Sequence, residues 1–540
     1  MAILEIKDLS FTYPKQDISA LSGVSFEIEK GDFALLCGAT GSGKSTLMRL
    51  LKREIRPLGE LKGEVRFEGK SIDELSERDS AFRVGFVTQK PEQQTVTDKV
   101  WHELAFGLEN LGLRSDEIRR RVAEMACFFG IEGWFDKKVS ELSGGQKQLL
   151  NLASVMVMQP DVLLLDEPTA QLDPIAASEF IATVVKLNRE LSLTVLMIEH
   201  RLEEALPVCD KLIFLKDGAL YAFGEMRSCV KSIMRDSEFL NYLPAAVRIF
   251  AAVEHGSACP VTVNEGRKYI EAGFDDSIKS LPERETPAHG NTALEFKDVW
   301  FRYERNSGDV LRGLSFTLWE GEILCVLGGN GSGKSTMLAC AAGLHKPYSG
   351  RINVFGKRIK DYKNQMLYKN CLALMPQDVQ TVFLRNSVRE ELEDCDISAL
   401  PFDLAPYYDM HPYDLSGGQQ QLLALAKVLS CKPRLLMLDE PTKGLDANTK
   451  AEFAAIIRKL KAAGVTILCV THDVEFASQL ADRAAMFFLG EITSCDETRR
   501  FFAANSFYTT SVSRMTRGRY ENAVTVEDAI ALLKLNGVRK

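Results

Sequence analysis

The sequence has no uninterrupted apolar run that approaches the ~18 residues needed to cross a bilayer as a helix. Its first segment, MAILEIKDLSFTYP, alternates as a strand does and lacks the charged, then apolar build of a signal peptide. If the protein acts in transport, we therefore expect the pore on another chain.

Closely paired cysteines are also missing, because none of the twelve cysteines stands in a CxxC spacing. The spacing therefore implies neither a zinc site nor a disulfide framework. Cys37, Cys325 and Cys469 lie inside apolar runs, which is typical of small core residues in a reducing compartment. A basic excess is absent too, since the net charge is −8, and this disfavours a general nucleic-acid binder.

At 540 residues the chain is too long for one core, and an internal repeat divides it. ALEFKDVWFRY from Ala293 repeats AILEIKDLSFTY from Ala2. GGNGSGKST follows GATGSGKST by 290 residues, whereas the second LSGGQ follows the first by 273. The second copy therefore has 17 fewer residues between these two motifs. The chain is therefore a tandem duplication with one trimmed insert.

Each copy opens with alternating strand patterns and continues with short apolar runs, such as FALLCG and VLLLDE, between helical patterns. This indicates a mostly parallel sheet with crossover helices. DEIRRRVAEMACFFG predicts a helical insert in the first copy, and the polar DDSIKSLPERETPAHGN predicts a linker. The predicted organisation is a first domain at 1–240, its C-terminal extension at 241–274, a linker at 275–291, a second domain at 292–500 and a second extension at 501–540.

The two extensions form a weaker repeat. AAVRIFAAVEHGSACPVTVNEG resembles TTSVSRMTRGRYENAVTVEDA, and each ends in a capping-box pattern, Thr262 with Glu265 and Thr525 with Asp528. We expect a helix to start at each pattern. Two interpretations stay open: each extension packs onto its parent domain, or the extensions form a contact between the two halves.

A phosphate-binding loop follows the first buried strand of each copy and precedes a helical pattern, as GxxxxGK[ST] requires. Its glycines let backbone N–H groups surround phosphates, and the helix N-terminus adds positive potential. A chance glycine loop would not occur twice in the same context. The predicted nucleotide-binding residues of the two loops are Gly38, Gly41, Gly43, Lys44, Ser45, Thr46, Gly328, Gly331, Gly333, Lys334, Ser335 and Thr336.

Two apolar strands, VLLLDE and LLMLDE, each end in a carboxylate pair. We predict that Asp166 and Asp439 hold Mg²⁺ together with the hydroxyls of Ser45 and Ser335. Glu167 and Glu440 are placed to orient and partly deprotonate the attacking water. Solvated acids at a strand end are the alternative, which the upstream loop and the following PT-x-x-LD disfavour.

LSGGQ occurs at 142–146 and 415–419, and with it the sequence resembles the ATP-binding-cassette family over nearly all of both halves. The resemblance implies an α/β fold of two tandem P-loop NTPase domains, each with a mostly parallel core sheet, an antiparallel β subdomain and a helical insert. It also implies head-to-tail pairing, with ATP between the P-loop of one half and the LSGGQ of the other. The implied signature contacts are Ser143, Gly145, Gln146, Ser416, Gly418 and Gln419.

The resemblance assigns further nucleotide contacts one at a time. Tyr13 and Tyr303 match the aromatic residue that stacks on adenine, although a strand aromatic that packs inward is the alternative. Asp173 and Asp446 match the loop that acts across the paired cassettes.

Four polar residues match the family's catalytic loops. Gln89 and Gln377 match the loop that reaches Mg²⁺ and water and couples to the membrane partner, and His200 and His472 match the histidine at the γ-phosphate. The usual arginine beyond LSGGQ is replaced by leucine in both copies, but that arginine is not catalytic. We therefore predict two working sites for ATP and Mg²⁺.

Within the family, the sequence resembles the fused ATPase of energy-coupling-factor transporters, on VTQKPEQQTVTDKVWHELAFGLEN, IEHRLEEAL, MPQDVQTVFLRNSVREEL and FYTTSVSRM. This implies import of a vitamin or metal ion from a peripheral position on the cytoplasmic face of the membrane. The implied partners are a transmembrane coupling protein, which docks beside the Gln loops, and a small substrate-capture membrane protein. His102 and Glu103 lie in that groove region, with a solvated helix face as the alternative.

Other classes also place two cassettes on one chain. Fused sugar or peptide importers are the nearer rivals, although fused sugar importers often have a degraded second site, unlike this chain. A translation or repair factor would be expected to carry a long basic linker or zinc-binding cysteines, and both are missing. We therefore expect no nucleic-acid partner.

Overall fold

The computed structural model describes residues 2–14, 16–253, 258–273, 281, 290–363, 366–397, 400–520 and 522–537. The chain divides into two compact units, Met1–Pro244 and Ala245–Lys540. The predicted linker at 275–291 lies largely outside the described residues. The domain boundaries expected from the sequence remain predictions.

The first unit contains ten strands and nine α-helices among its described residues. Its strands are β1 Ala2–Thr12, β2 Leu21–Glu29, β3 Phe33–Gly38, β4 Glu60–Phe67, β5 Lys70–Ser71, β6 Val84–Val87, β7 Val162–Asp166, β8 Thr194–Ile198, β9 Lys211–Lys216 and β10 Ala219–Glu225. Its helices are α1 Lys44–Leu50, α2 Glu77–Arg83, α3 Pro91–Gln94, α4 Val100–Asn110, α5 Ser115–Phe129, α6 Gly144–Met156, α7 Pro174–Leu191, α8 Leu202–Ala205 and α9 Met226–Ile233.

The second unit repeats this order after two leading helices. Its strands are β11 Thr292–Phe301, β12 Leu311–Trp319, β13 Ile323–Leu327, β14 Ser349–Val354, β15 Lys357–Arg358, β16 Leu372–Met375, β17 Leu435–Asp439, β18 Thr466–Thr471, β19 Arg483–Phe488 and β20 Glu491–Glu497. Its helices are α10 Ala245–Val253, α11 Val263–Gly273, α12 Lys334–Ala341, α13 Val388–Glu391, α14 Gly417–Leu429, α15 Ala447–Ala462, α16 Val474–Leu480, α17 Thr498–Ala504, α18 Ser511–Thr516 and α19 Val526–Asn536.

A six-stranded sheet forms the centre of each unit. Its strand order is β10-β9-β3-β8-β7-β6 in the first unit and β20-β19-β13-β18-β17-β16 in the second. All neighbouring pairs are parallel except β9 with β10 and β19 with β20. The apolar runs form the central strands because helices cover both faces of the sheet, as the complete burial of β7 and β8 shows.

A four-stranded antiparallel sheet accompanies each central sheet, in the order β2-β1-β4-β5 and β12-β11-β14-β15. The alternating apolar residues of β1 and β2 point to one core, which they share with β3 and α1. The expected α/β fold of two tandem P-loop domains is therefore confirmed.

The helical insert differs between the units. In the first unit, α4 and α5 pack against each other and against α6. In the second unit, the chain from 392 to 416 forms only turns and short 3₁₀ helices in its described part, and no counterpart of α5 is present there. The missing 17 residues thus remove one helix, as the repeat spacing predicts.

The two C-terminal extensions pack against each other. α10 lies against α19, and α11 lies against α18. The first helix of each extension thus packs against the second helix of the other. Their apolar faces share one core, which we call the tail core: Ala245, Ala246, Ile249, Ile270, Val512, Met515, Tyr520, Ala523, Val526, Ala529, Leu532 and Leu533. Of the two interpretations left open, the structure shows the contact between extensions, and for the second extension it also shows packing onto the parent domain, where Val524 joins the core and Glu475 accepts the N–H of Ser511.

Hydrogen bonds to backbone carbonyls reinforce the tail core. Arg519 donates to the carbonyls of Ile270 and Glu271 at 3.1 and 2.9 Å, and Arg267 donates to the carbonyl of Arg514 at 2.6 Å. α11 and α19 begin directly after Thr262 and Thr525, as the capping patterns predict. No helix in the described part of the chain is long and apolar enough to cross a membrane.

Removing a side chain from the tail core should destabilise the second unit. We expect Leu532→Ala to lower the free energy of unfolding by about 2–5 kcal/mol, because it leaves a cavity between the extensions. Leu535→Ala, on the exposed face of the same helix, should change it by less than about 0.5 kcal/mol. Chemical denaturation checks both values, and equal effects would contradict the shared core.

Candidate functional site

A glycine-rich loop connects the first core strand to the first core helix in each unit. Gly43 adopts φ 91° at the N-terminus of α1, and a Cβ there would lie 2.4 Å from the carbonyl oxygen of Ala20. Gly38 is equally constrained, since a Cβ would lie 2.2 Å from the carbonyl oxygen of Leu215. Only glycine fits both positions, and the loop therefore keeps its N–H groups at the helix N-terminus.

The loop lysines are buried and hold their own loops. Lys44 Nζ donates to the carbonyls of Gly38 and Ala39 at 2.9 and 2.7 Å. Lys334 Nζ makes the same two contacts in the second unit and lies 3.8 Å from Glu440 Oε1. Both ammonium groups thus lie inside the loop that would surround a phosphate.

The first carboxylate of each acidic pair faces the loop serine. Ser45 Oγ donates to Asp166 Oδ1 at 3.1 Å, and in the second unit Ser335 acts to lower the pKa of Asp439. Burial raises the pKa of Asp166 to about 6, helped by the charge of Glu167 and opposed by Ser45. Burial likewise raises the pKa of Asp439 to about 6. A nearby cation would relieve this cost of ionisation.

The second carboxylate of each pair stands on a strained backbone. Glu167 and Glu440 follow the buried strands β7 and β17 with φ 47° and 49°, in the left-handed region. Non-glycine residues rarely adopt this region, because the Cβ atom crowds the backbone there. The turn directs these two side chains away from the strand and towards the histidine and glutamine loops.

In the first unit, Glu167 joins the two other predicted catalytic residues. His200 Nε2 lies 2.8 Å from Glu167 Oε1, and Gln89 Nε2 donates to Glu167 Oε2 at 2.7 Å. The three residues come from the ends of three adjacent strands, β7, β8 and β6. The structure therefore brings Gln89, Glu167 and His200 together.

In the second unit, the arrangement is only partly the same. His472 Nδ1 lies 2.8 Å from Glu440 Oε2, which also accepts the backbone N–H of His472 at 3.1 Å. Burial would raise the pKa of Glu440, but the hydrogen bond and charge of His472, with Lys334, hold it below its ordinary value. Gln377 is exposed. The two catalytic sets thus differ at the Gln loop.

The predicted adenine-stacking residues contact the P-loop helices. Tyr13 Oη lies 3.0 Å from Thr46 Oγ1, and Tyr303 Oη lies 2.9 Å from Thr336 Oγ1. Tyr303 remains more than half exposed, with 59% of its surface accessible. Tyr13 is half-buried and packs against the core of its unit, where its ring contacts Phe11. Both tyrosines nevertheless lie beside the phosphate loop.

The signature residues begin helices. Ser143 and Ser416 are the N-caps of α6 and α14, and each forms a capping box with Gln146 or Gln419. Gly145 and Gly418 lie in the first turns, where backbone N–H groups have no partner within the helix.

The predicted D-loop aspartates also cap helices. Asp173 accepts the N–H of Ala176 at the start of α7, and Asp446 accepts that of Thr449 at the start of α15.

Sequence reasoning missed one residue in the first site. Glu199 is buried, accepts the hydroxyl of Thr169 at 2.7 Å, and accepts the backbone N–H groups of His200 and Arg201 at 3.0 and 3.1 Å. It therefore shapes the histidine loop. Its signal was an acidic residue at the end of an otherwise apolar strand, TVLMIE, where the second copy has threonine.

Fold and site together define a P-loop ATPase with two tandem cassettes. The family profile described as ABC transporter matches residues 21–170 and 311–443. The chain thus belongs to the ABC transporter ATP-binding proteins; it is an ATPase and the nucleotide-binding subunit of an ABC transporter.

Individual relatives agree with this assignment. A protein of Bacillus thuringiensis subsp. konkukian, provisionally named an ABC transporter ATP-binding protein, is 38% identical over 98% of both chains. A Bacillus subtilis protein, provisionally named HMP/thiamine import ATP-binding protein YkoD, is 32% identical over 89% of both chains. The structure of an archaeal ribosome recycling factor, aABCE1, with stalk protein aP1 superposes with a TM-score of 0.58 at 20% identity, covering 92% of this chain and 91% of that one, and shows the fold alone.

The buried carboxylate predicts a pH-dependent stability. The pKa of Asp166 is about 6 in the folded chain against 3.8 ordinarily, so its ionisation opposes folding by about 3 kcal/mol above pH 6. Asp166→Asn should therefore stabilise the nucleotide-free protein above pH 6. The gain should shrink as pH falls through 6 and vanish below about pH 4, where aspartate is protonated in both states.

Thermal unfolding between pH 4 and pH 8, without nucleotide or divalent ions, measures this difference. Asp136→Asn, at an exposed position, is the control and should give no pH-dependent gain. A stability difference for Asp166→Asn that stays constant across this range would contradict the assigned burial.

Proposed function

We propose that the chain is the ATP-hydrolysing subunit of an energy-coupling-factor-type importer, which uses two composite ATP sites to drive uptake of a vitamin or metal ion through separate membrane subunits. The observation that carries the proposed hydrolysis is that Glu167 and Glu440 each lie 2.8 Å from the histidine of their own copy. The name of the Bacillus subtilis relative, which refers to HMP/thiamine import, supports a vitamin-type substrate. ATP-driven import of a sugar or peptide is the alternative.

Hydrolysis at the first site follows from the position of Glu167. Its carboxylate lies between Gln89 and His200, so it can orient a water molecule and accept a proton from it. Lys44 would exchange its backbone contacts for the β- and γ-phosphates, and His200 would contact the γ-phosphate. In the second site, Lys334, Glu440 and His472 have the same roles.

The residues also fit Mg²⁺. Asp166 and Asp439 are buried carboxylates with raised pKa values, and Asp439 Oδ1 is buried without a hydrogen-bond partner in the described part of the chain. Oxygen ligands from Ser45 and Ser335 complete a donor set that suits a hard cation. Gln89 and Gln377 are proposed as further contacts. When bound, Mg²⁺ would neutralise charge on the β- and γ-phosphates.

The remaining nucleotide contacts of the proposal come from the opposite half. Ser143 and Ser416, with the free N–H groups of the following glycines, would bind the γ-phosphate held by the other half's P-loop. Asp173 and Asp446 would act across the same interface, and Tyr13 and Tyr303 would stack on adenine. The tail core supports this pairing, because it joins the extensions of both copies.

The proposed partners are a transmembrane coupling protein and a small substrate-capture membrane protein, with the chain on the cytoplasmic face of the membrane. The segments that follow Gln89 and Gln377 are the proposed docking sites. Isolation of the chain with its membrane partners, followed by their identification and by transport assays in vesicles, tests the importer class. Sugar- or peptide-specific partners would favour the alternative.

Loss of the two glutamates should stop turnover without loss of ATP binding. We expect Glu167→Gln with Glu440→Gln to reduce kcat about 100-fold or more, because the amide cannot accept the proton of the attacking water. The affinity for ATP should stay within a few-fold of the original value. Single-turnover hydrolysis and equilibrium binding of ATP measure the two effects.

Glu179→Gln, on the exposed surface of α7, is the matched control and should keep its full rate. Unchanged turnover in the double variant would refute the role of both glutamates.

A further inference from the structure

The two copies share one arrangement of the tyrosine beside the phosphate loop. Tyr13 and Tyr303 each hydrogen-bond the threonine that follows the loop serine. Each ring also meets the phenylalanine two residues earlier at nearly a right angle, with centroids 5.0 and 5.1 Å apart. The residues that surround this pair of rings, however, differ between the copies.

A third ring completes the group in the second copy. His345, which follows α12, stacks on Phe301 with centroids 5.2 Å apart, and it meets Tyr303 at 5.4 Å and 85°. Tyr303 thus contacts two rings, although more than half of its surface remains accessible. Ile55 stands at the place of His345 in the first copy, two residues before the proline that both copies share. Aromatic contacts of this geometry stabilise beyond the area they bury.

Polar side chains close the loop that follows Tyr303. Arg302, Asp309 and Tyr348 form a cluster that we call the loop clamp. Arg302 donates to both carboxylate oxygens of Asp309, at 2.9 and 3.4 Å, and the Tyr348 hydroxyl donates to the same carboxylate at 2.9 Å. The guanidinium carbon of Arg302 lies 4.7 Å from the centre of the Tyr348 ring. A bidentate, charge-assisted contact fixes geometry better than one neutral hydrogen bond does.

The first copy closes the same loop with a single neutral contact. Thr12 and Ser19 stand at the places of the arginine and the aspartate, and their hydroxyls lie 2.9 Å apart. Leu58, which is 85% exposed, follows the shared proline where the second copy has the clamp tyrosine. An exposed ion pair alone adds little stability. A ring that is already held in place nevertheless binds its ligand more tightly, because less freedom is lost on binding.

We propose that His345 and the loop clamp hold Tyr303 in place for adenine, so that the second site binds ATP more tightly than the first. They are positioning residues, because they act on the base through Tyr303. This inference rests on the proposed function, in which Tyr13 and Tyr303 stack on adenine. The second site then stays loaded at ATP concentrations that leave the first site largely empty.

Equilibrium binding of ATP to two single-site forms of the full chain tests this difference. Lys44→Ala leaves the second site as the one that binds ATP tightly, and Lys334→Ala leaves the first, because each change removes an ammonium group that would bind the phosphates. With Mg²⁺ present, we expect the second site to bind ATP about three- to tenfold more tightly than the first.

A substitution from the first copy assigns the difference to the base. His345→Ile in the Lys44→Ala form should weaken ATP binding about threefold or more, because it removes the ring stack. Inorganic tripolyphosphate has no base, so its affinity should stay unchanged. His345→Phe keeps an aromatic ring at this position and should retain most of the affinity for ATP.

The loop clamp is tested in the same way. Arg302→Thr, Asp309→Ser and Tyr348→Leu, introduced together, should weaken ATP binding about as much as His345→Ile does and should leave tripolyphosphate binding unchanged. Asn306→Ala, at an exposed position of the same loop outside the clamp, is the matched control and should change neither affinity.

Equal ATP affinities of the two single-site forms would overturn the proposal, and so would an ATP affinity that His345→Ile leaves unchanged. A parallel loss of tripolyphosphate binding would also overturn it, because damage to the phosphate loop explains that result. Tyr303→Ala separates this inference from the proposed function. If that variant binds ATP with unchanged affinity, the stacking role assigned to Tyr303 in the proposed function is itself refuted.

Discussion

Both nucleotide sites depend on one physical constraint: Asp166 and Asp439 must be able to ionise, although each ends a buried strand. β7 and β17 are fully buried, yet each ends in an aspartate whose pKa is raised to about 6. Ser45 and Lys44 act to lower the pKa of Asp166, and Lys334 that of Asp439, which reduces this cost. A chain selected for stability alone would not place acids there, so the site is built to receive compensating positive charge.

The same constraint accounts for the backbone around the site. Glu167 and Glu440 have a left-handed backbone conformation, which turns their side chains away from the strand direction. The adjacent strands end in the histidine and glutamine loops. Parallel strands make this convergence possible, because their carboxyl ends lie at one edge. In the first unit Gln89 reaches Glu167, whereas in the second unit Gln377 is exposed, so the duplicated sites are not identical.

Outside the nucleotide sites, two further structural features involve both copies. The tail core joins the extensions of the first and second copies. The first helix of one extension packs against the second helix of the other, as α10 does with α19 and α18 does with α11. Glu103 on α4 and Glu391 on α13 accept backbone N–H groups of the loops that follow Gln89 and Gln377. The first feature connects the two extensions, and the second fixes the loop that follows each predicted Gln loop.

The sequence by itself determined the duplication, the α/β class, the two P-loops and the identity of the acidic, histidine and signature residues, because these depend on local spacing and on hydrophobic period. Only the tertiary structure decided that the extensions pack on each other. The similar capping patterns predict where the helices begin, and they are compatible with packing either on the parent domain or on the other extension. It alone revealed Glu199, whose role arises from its burial against the backbone N–H groups of His200 and Arg201, and it showed that Glu103 is buried rather than solvated. Such contacts depend on how loops return in space, which no spacing along the chain encodes.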